Sequence, residues 1–350
     1  MKISFNWLKS YLDFDLTPER TSEILTDTGL EIEGLQKFEE IQDGLEGVVV
    51  GEVLSCEAHP DADRLKVTQV NLGGETVQIV CGAPNVGKGQ KVMVATVGTN
   101  LHPNNGEAFK IKKAKIRGVE SFGMICAEDE LGLGTSHEGI LILPDEITIG
   151  TSAAKYYELY TDFQLEIGLT PNRCDAMGHI GVARDLKAFL NFHENQNLSL
   201  KLPDMAIKYS DNKDTDKIKI NIDDASLCPR YIGAILDDIE VKESPKWLKN
   251  RLKSIGLDPV NNVVDVSNFI MYEYGTPMHA FDRSKLGKNI TVKKADKGSS
   301  FKTLDGTERK LSGEELMITS EGKNLCIAGV FGGLDSGVSE NTKSIFLESA

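Results

Sequence analysis

Residues 109–134 read FKIKKAKIRGVESFGMICAEDELGLG, and five basic side chains fall within eight positions of this segment in a chain of formal net charge -14. Apolar and basic residues alternate as in a β-strand, and the adjacent Lys112 and Lys113 break the alternation, which predicts a β-bulge. A bent basic strand ending in a glycine turn is typical of a small closed barrel that follows a phosphate backbone, because closure removes the sheet edges and lysines release counterions. The alternative is an ordinary solvated strand face. The predicted contacts to a nucleic-acid backbone are Lys110, Lys112, Lys113, Lys115 and Arg117.

The sequence around this segment extends the barrel to residues 41–150, where Gly-Gly, Gly-Lys-Gly and Asn-Asn-Gly turns separate short strand patterns. Within it, GAPNVGK at 82–88 matches the first seven positions of a phosphate-binding loop. The eighth position is Gly89, which supplies no hydroxyl for Mg²⁺. The KVMVATVG that follows is β-branched and apolar and predicts a strand, not a helix, so we reject nucleotide binding here.

Two helix patterns and a strand pattern occupy residues 1–40, ahead of the barrel. Thr17 as N-cap, Pro18 in the first turn and Gly29 as terminator mark the second helix. Residues 151–203 contain an alternating strand, FQLEIG, followed by an amphipathic helix. Each segment alone is too small for a core, so the sequence predicts one split α/β domain into which the barrel is inserted.

The remaining block, residues 204–350, follows the linker NQNLSLKLPD and contains the acidic-polar stretch KYSDNKDTDK at 208–217. Ser244 as N-cap and Pro245 at the first position predict a helix that stops at Gly256. Strand patterns on both sides of this helix indicate an α+β domain. The last one, SIFLESA, runs to the chain end without a closing element, and we expect the chain to be part of a longer protein.

Length and composition are those of a globular protein of two to three domains, with 350 residues, 40% hydrophobic and 26% charged. No apolar run is long enough for a signal peptide or a membrane span, so we expect a cytoplasmic protein without a membrane partner. The six cysteines include no CxxC pair and the six histidines no HxxH or HxxxH pair. Reduced thiols and no metal site are therefore expected.

Motifs in the barrel region resemble the tRNA-binding OB-fold domain that several tRNA-associated proteins carry. They are EVLSCEAHPDADRLKV at 52–67, IVCGAPNV at 79–86 and IRGVESFGMICAEDELGL at 116–133. The flanking motifs resemble bacterial phenylalanyl-tRNA synthetase β subunits in particular. These are NRCDAMGHIGVARDL at 172–186, NNVVDVSNFIMYEYGTPMHAFD at 261–282, TLDG at 303–306 and AGVFGGLDSGVSENTKSIFLESA at 328–350.

The resemblance implies a multidomain α+β fold. An OB-type β-barrel for tRNA binding (41–150) would be inserted in a small split α/β domain (1–40 and 151–203). An α+β editing domain of the B3/B4 kind (204–350), truncated at its C-terminus, would follow. The family's β subunit is longer and also carries a module that docks the α subunit and an anticodon-binding domain.

The resemblance also implies an editing site, which hydrolyses tyrosine wrongly attached to the tRNA for phenylalanine. Its predicted residues are His279, Ser267, Glu348, Ala328 and Gly329. Many relatives carry threonine in place of Ser267, so the hydroxyl is kept and a methyl is lost. Glu348 is the expected partner of the tyrosine phenol, and His279 would orient the ester or the attacking water. Water held by the terminal hydroxyl of the tRNA is an equal candidate.

The expected partners are the α subunit, in a heterotetramer of two α and two β subunits, and tRNA(Phe). Aminoacylation resides in the α subunit, so this chain is expected to need no cofactor, while ATP and Mg²⁺ serve the full ligase. Two function classes follow. The first is an editing hydrolase module of a ligase, and the second is a non-enzymatic tRNA-binding and scaffolding fragment. Only the first predicts ester cleavage.

Overall fold

A computed structural model of the chain describes residues 1–104, 106–204, 206 and 217–349. The fold is mixed α/β and divides into two compact units, Lys37–Asp162 and Met1–Gln36 together with Phe163–Ala350. The predicted domain boundaries at 41–150, 151–203 and 204–350 stay predictions. Most of the acidic-polar stretch at 208–217 lies outside the described residues.

The N-terminal residues form a strand, two helices and a second strand: β1 (Lys2–Ser4), α1 (Phe5–Tyr11), α2 (Pro18–Asp27) and β2 (Glu31–Glu39). The predicted start of α2 is confirmed, since Thr17 Oγ1 accepts the amide of Arg20 at 3.2 Å. Its predicted end is confirmed as well. Gly29 lies at φ +89°, in the left-handed region where glycine ends helices without steric cost.

The unit Lys37–Asp162 contains ten short strands and one short helix among its described residues. They are β3 (Val48–His59), β4 (Ala62–Asn71), β5 (Thr76–Cys81), β6 (Lys91–Thr96), β7 (Asn100–Leu101), β8 (Phe109–Lys110), β9 (Ala114–Ile116), β10 (Val119–Ser121), β11 (Gly123–Ile125), β12 (Ile142–Leu143) and α3 (Ala153–Tyr156). The strand predicted after the glycine-rich loop is confirmed by β6.

The main sheet of this unit has the strand order β11-β6-β3-β4-β5, with β12 also paired to β6, and its neighbours are antiparallel. The residues just before β11 reach back to β5, where the amide of Phe122 donates to the carbonyl of Gln78 at 2.8 Å. Ser121 Oγ accepts the amide of Val80 at 3.1 Å. These bonds join the two ends of the sheet, which is therefore nearly closed into a barrel around buried aliphatic side chains such as Val53 and Ile79.

The basic segment is broken rather than bulged. β8 pairs with β7 and β9 pairs with β10. The segment predicted to be one strand therefore contributes to two separate two-stranded sheets. Ile111 continues the first ribbon, since its amide donates to Thr99 O at 2.8 Å and its side chain is buried. The chain leaves the sheet at Lys112 and Lys113. The prediction of one continuous strand failed because the two halves of the segment pair with different strands, which side-chain alternation does not show.

After the barrel, β13 (Thr161–Gly168) lies between β1 and β2, and α4 (His179–His193) packs beside it. β13 is antiparallel to β1, with Ile3 opposite Leu165. One hydrophobic core combines residues from before and after the barrel, including Leu8, Ile24 and Leu186. The two chain segments that flank the barrel are thus parts of one packed structure.

The rest of this unit contains β14 (Lys219–Ile222), β15 (Ile232–Leu236), α5 (Lys246–Ser254), α6 (Asn262–Tyr274), β16 (His279–Asp282), β17 (Asn289–Lys294), β18 (Ser300–Lys302), β19 (Glu308–Lys310), β20 (Leu316–Ser320), β21 (Lys323–Ile327), β22 (Phe331–Gly332) and β23 (Ile345–Ser349). A five-stranded sheet has the order β14-β17-β20-β21-β22, and a three-stranded sheet has the order β15-β23-β16. Phe281, Ile290 and Phe346 belong to the core that these two sheets share.

The predicted N-cap of α5 is wrong by one residue. The helix begins at Lys246 with Pro245 as its N-cap and without a side-chain cap. The hydroxyl of Ser244 instead donates to the carboxylate of Asp265 on α6, and both residues are buried. A tertiary partner has taken the hydroxyl that a local pattern assigned to the helix end.

Four single turns of 3-10 helix complete the described elements, at Gln42–Leu45, Cys174–Ala176, Arg283–Lys285 and Leu334–Ser336. None of the helices in the described part of the chain has the length and apolar character needed to span a membrane.

Candidate functional site

The three-stranded sheet aligns two of the predicted site residues. Glu348 on β23 lies opposite His279 on β16 and opposite Gly233 on β15. Directly opposed residues of an antiparallel sheet project from the same face, so the carboxyl of Glu348 and the ring of His279 are neighbours. Gly233 adds no side chain to this row.

Glu348 is a buried carboxyl, with 7% of the residue exposed. Its Oε2 accepts a hydrogen bond from the phenol of Tyr231, which is also buried. Burial raises the pKa of Glu348 to about 7, while the bond from Tyr231 acts in the opposite direction. The carboxyl therefore changes its charge near neutral pH.

His279 carries an unpaired polar atom. Its Nε2 is buried and has no hydrogen-bond partner among the described residues. The ring stands edge-on to Phe281 at 4.5 Å between centroids, and burial lowers the pKa of His279 below its ordinary value. A neutral imidazole with an unused nitrogen requires a partner from outside the chain, such as water or a bound ligand.

Gly332 on β22 allows the backbone to approach His279. A Cβ at this position would lie 2.7 Å from Cε1 of His279 and 2.9 Å from Cδ1 of Leu304. Any larger residue would displace the imidazole or the leucine. Glycine at this position therefore allows the β22 backbone to lie against the ring of His279.

Ala328 and Gly329 lie in the turn between β21 and β22, which the amide of Val330 closes on Ile327 O at 3.0 Å. The amide of Ala328 donates to Leu316 O at 2.8 Å, so it is already used. Gly329 lies at φ +68° and faces open space. The turn directly precedes β22, the strand that carries Gly332.

Ser267 is not joined to this row by a hydrogen bond. It lies in α6, and its hydroxyl donates to the carbonyl of Val264 in the same helix at 2.7 Å. The structure thus brings Glu348 and His279 together, places Ala328 and Gly329 on the adjoining turn, and leaves Ser267 bonded within its own helix.

The five predicted basic residues are all exposed but differ in their contacts. Lys113 pairs with Glu120 at 2.9 Å and lies 4.7 Å from the centre of the Phe122 ring. Arg117 occupies the turn between β9 and β10 and donates to Asp61 O at 3.3 Å. Within the described part of the chain, no ion pair involves Lys110, Lys112 or Lys115.

Lys110 and Lys112 line a cavity of about 610 Å³ in the barrel unit. Its other walls come from the end of β5, from β11 and from the loop at 137–140, and they include Ala83, Pro84, Ser121 and Met124. A cavity of this size, lined by apolar side chains together with Lys110, Lys112, Glu130 and Glu138, can take a small organic group such as a nucleobase. Ala83 and Pro84 lie in the loop GAPNVGK, and Ser121 and Met124 lie in the segment 109–134, but no sequence pattern indicated that these two segments line one cavity.

Tyr231 is the other residue that the sequence did not indicate. A tyrosine before the strand IGAIL has no distinguishing pattern, and its partner Glu348 lies 117 positions away. Within the described ranges, no three or more histidine, cysteine, aspartate or glutamate side chains are grouped so that they could hold a metal ion.

Two family descriptions match the chain. Residues 48–152 match "Putative tRNA binding domain", and residues 227–350 match "B3/4 domain". The first contains the basic residues and the cavity, and the second contains Glu348, His279 and the turn at Ala328.

Curated relatives match the chain over its whole length. The phenylalanine–tRNA ligase beta subunit of Bacteroides fragilis is 53% identical over 352 residues, which cover 100% of this chain and 43% of that protein. The subunit of Porphyromonas gingivalis is 50% identical over 353 residues, with the same coverage. The chain thus spans less than half the length of these relatives. A crystal structure of an N-terminal fragment of the phenylalanyl-tRNA synthetase beta subunit from Pyrococcus horikoshii is 17% identical. It covers 54% of this chain and 55% of that one, with a TM-score of 0.31.

Proposed function

Because the chain belongs to the phenylalanine–tRNA ligase beta subunit family, we propose that it binds tRNA(Phe) and hydrolyses tyrosine wrongly attached to that tRNA. The barrel would hold the nucleic acid. The row of Glu348 and His279 would form the pocket for the aminoacyl ester.

The observation that carries the proposal is the buried carboxyl of Glu348, which already binds a phenol, that of Tyr231. Tyrosine differs from phenylalanine by this one group. A buried carboxylate can accept a hydrogen bond from the hydroxyl of a tyrosyl substrate. Phenylalanine has no such hydroxyl, so it would leave the buried carboxylate unpaired at a cost in binding free energy. The site therefore has the chemistry to select tyrosyl over phenylalanyl esters.

His279 supports the proposal through its unused Nε2. Since burial keeps the imidazole neutral at physiological pH, the ring can hold the ester or a water by a hydrogen bond. Gly332 lets the backbone of β22 lie directly against this ring. Activation of the water by the terminal hydroxyl of the tRNA is compatible with the same arrangement.

For tRNA binding, the support is the exposed basic segment and the cavity beside Lys110 and Lys112. Lysines without an internal ion pair are available for phosphates, and their binding energy comes largely from counterion release. Contacts to the backbone rather than to bases fit a domain that several kinds of tRNA-associated protein share.

The wider context is part of the same proposal. The barrel is taken as an OB-type domain inserted in a split α/β domain, followed by an editing domain. The chain would work with the α subunit, in an assembly of two α and two β subunits in the cytoplasm. The α subunit would attach phenylalanine with ATP and Mg²⁺, and this chain would supply editing without a cofactor.

The experiment that tests the proposal compares deacylation of tyrosyl-tRNA(Phe) and phenylalanyl-tRNA(Phe) by the parent chain, Glu348→Ala and His279→Ala. We expect the parent to cleave the tyrosyl ester preferentially. Glu348→Ala should erase that preference, because the lost bond is worth on the order of 1.5 to 3 kcal/mol, or roughly 10- to 100-fold. His279→Ala should slow the hydrolysis of both esters, because His279 would act on the ester group, which the tyrosyl and phenylalanyl substrates share.

Binding of tRNA without cleavage of either ester would contradict the editing part of the proposal. The chain would then be a tRNA-binding scaffold. Equal rates for the parent and Glu348→Ala would remove Glu348 from the pocket.

A further inference from the structure

Tyr231 lies on the same face of the three-stranded sheet as the proposed pocket. It lies just before β15, two positions before Gly233, the residue opposite Glu348. Its phenol donates to Oε2 of Glu348, and the two residues are 8% and 7% exposed. Both partners are therefore held in a packed environment and not on a mobile surface.

Gly233, the residue of β15 opposite Glu348, has no side chain. A Cβ on Gly233 would lie 2.0 Å from Cζ of Phe346, so glycine is required for that ring to pack against β15. Glu348 thus lies next to His279 of β16 and is bonded by Tyr231, which lies just before β15. Among the described residues, no group forms a hydrogen bond with Oε1 of Glu348, the second carboxyl oxygen.

We propose that Tyr231 is a specificity-determining positioning residue. By holding Oε2 of Glu348, it fixes the carboxyl so that Oε1 receives the phenol of a tyrosyl ester. This inference rests on the proposed editing function and names the group that makes its carboxyl selective. The substrate phenol would then be the second phenol on one carboxylate.

Two effects of Tyr231 follow from its geometry. First, it restrains the side chain of Glu348, so less conformational entropy is lost when the substrate binds. Second, it favours the ionised carboxyl, because burial raises the pKa of Glu348 and the Tyr231 bond lowers it. The other titratable groups that face this pair are His279, Cys228 and Cys326. Burial lowers the pKa of His279 on β16 and raises the pKa of Cys326 on β21, so both groups are uncharged at neutral pH.

The test measures the ratio of tyrosyl to phenylalanyl deacylation by the 350-residue chain between about pH 6 and pH 8.5. A ratio is used because the alkaline lability of the ester bond affects both substrates alike. In the parent, the ratio should rise as Glu348 ionises, since the phenol bonds most strongly to the charged carboxyl. In Tyr231→Phe, which keeps the ring and its packing, the ratio at neutral pH should fall about tenfold and its midpoint should move to higher pH.

Tyr160→Phe is the matched control, because it removes a phenol–carboxylate bond of 2.7 Å, to Asp162, in the barrel unit. It should leave the ratio unchanged. Glu348→Gln is a second variant that keeps an acceptor for Tyr231 but does not titrate, and its ratio should be independent of pH.

The outcomes separate this inference from the proposed function. A parent chain that cleaves neither ester overturns both. A parent with tyrosyl preference whose Tyr231→Phe variant keeps the same ratio and the same midpoint overturns the role of Tyr231 alone. The same holds if Tyr231→Phe is unfolded and Glu348→Gln titrates like the parent.

Discussion

At the scale of single residues, Glu348 illustrates how a binding group can cost stability. Its pKa rises from an ordinary carboxyl value to about 7 in the folded chain because the group is buried. The folded state therefore holds its proton more tightly than the unfolded state does. The protonated carboxyl therefore contributes its full stabilisation of the fold below the pKa of the unfolded state, and this contribution is lost as the pH rises towards 7.

Glu348→Gln should thus stabilise the unit that contains it, and increasingly so at higher pH. Between about pH 5.5 and pH 8 the gain should grow by about 2 kcal/mol, which is the part of the total of roughly 3 kcal/mol for this pKa shift that falls in that pH range. Denaturant unfolding followed by tryptophan fluorescence is a suitable measurement. Trp7 and Trp247, the two tryptophans of the chain, both lie in the same compact unit as Glu348.

Glu315→Gln is the control of opposite sign. Amides of Ser312 and Gly313 bond its carboxylate and lower the pKa of Glu315, so its ionised form is the favoured one. Its neutralisation should bring no gain that grows with pH. A Glu348→Gln curve parallel to that of the parent at all pH values would show that Glu348 titrates normally.

At the scale of elements, local signals were sufficient where one element contains both partners. Thr17 and Gly29 were found from the sequence because a helix cap bonds within a few residues. Ser244 was misassigned because its partner, Asp265, comes from another helix. The bond between Tyr231 and Glu348 depends on a strand register that no local pattern contains, whereas the pairing of His279 with Glu348 was expected only through the family resemblance.

The broken basic segment leads to a prediction about tRNA binding. Charge reversal at Lys110 and Lys112, which line the cavity and have no ion pair in the described structure, should weaken tRNA binding. It should also reduce the slope of log affinity against log salt by roughly 1 for each lost phosphate contact. Filter binding of tRNA(Phe) over a salt series measures both quantities.

Charge reversal at Lys246 and Lys253 of α5 is the matched control, because both lysines are exposed and their reversal changes the net charge by the same amount. It should leave the salt slope close to that of the parent. An equal effect of the two pairs would mean that only the net charge of -14 matters. The weaker tRNA binding after reversal of Lys110 and Lys112 would then come from long-range repulsion between the chain and the tRNA, and not from the loss of phosphate contacts.

At the scale of the whole molecule, the chain enters and leaves the barrel along neighbouring segments. The amide of Glu40 donates to Tyr160 O at 2.9 Å, and a Cβ on Gly34 would lie 3.6 Å from Cβ of Glu166. The core of the unit Met1–Gln36 and Phe163–Ala350 combines residues from before and after the barrel, such as Ile24 and Leu165. The prediction of a split domain rests on the sequence alone, because neither flank carries enough apolar residues for a core of its own.

The corresponding prediction is that the barrel can be removed without unfolding the rest. Replacing residues 41–159 by a short glycine-containing turn joins segments that already run side by side, so the closure costs little entropy. Tryptophan fluorescence of the shortened chain should show cooperative unfolding, since Trp7 and Trp247 are both retained.

The matched control deletes residues 1–36 instead, which removes the buried side chains of Ile3, Trp7 and Leu8 from the core. That deletion should abolish cooperative unfolding, because large buried side chains each contribute several kcal/mol. Loss of folding in the barrel deletion, or its retention in the N-terminal deletion, would contradict the arrangement of one core interrupted by an inserted barrel.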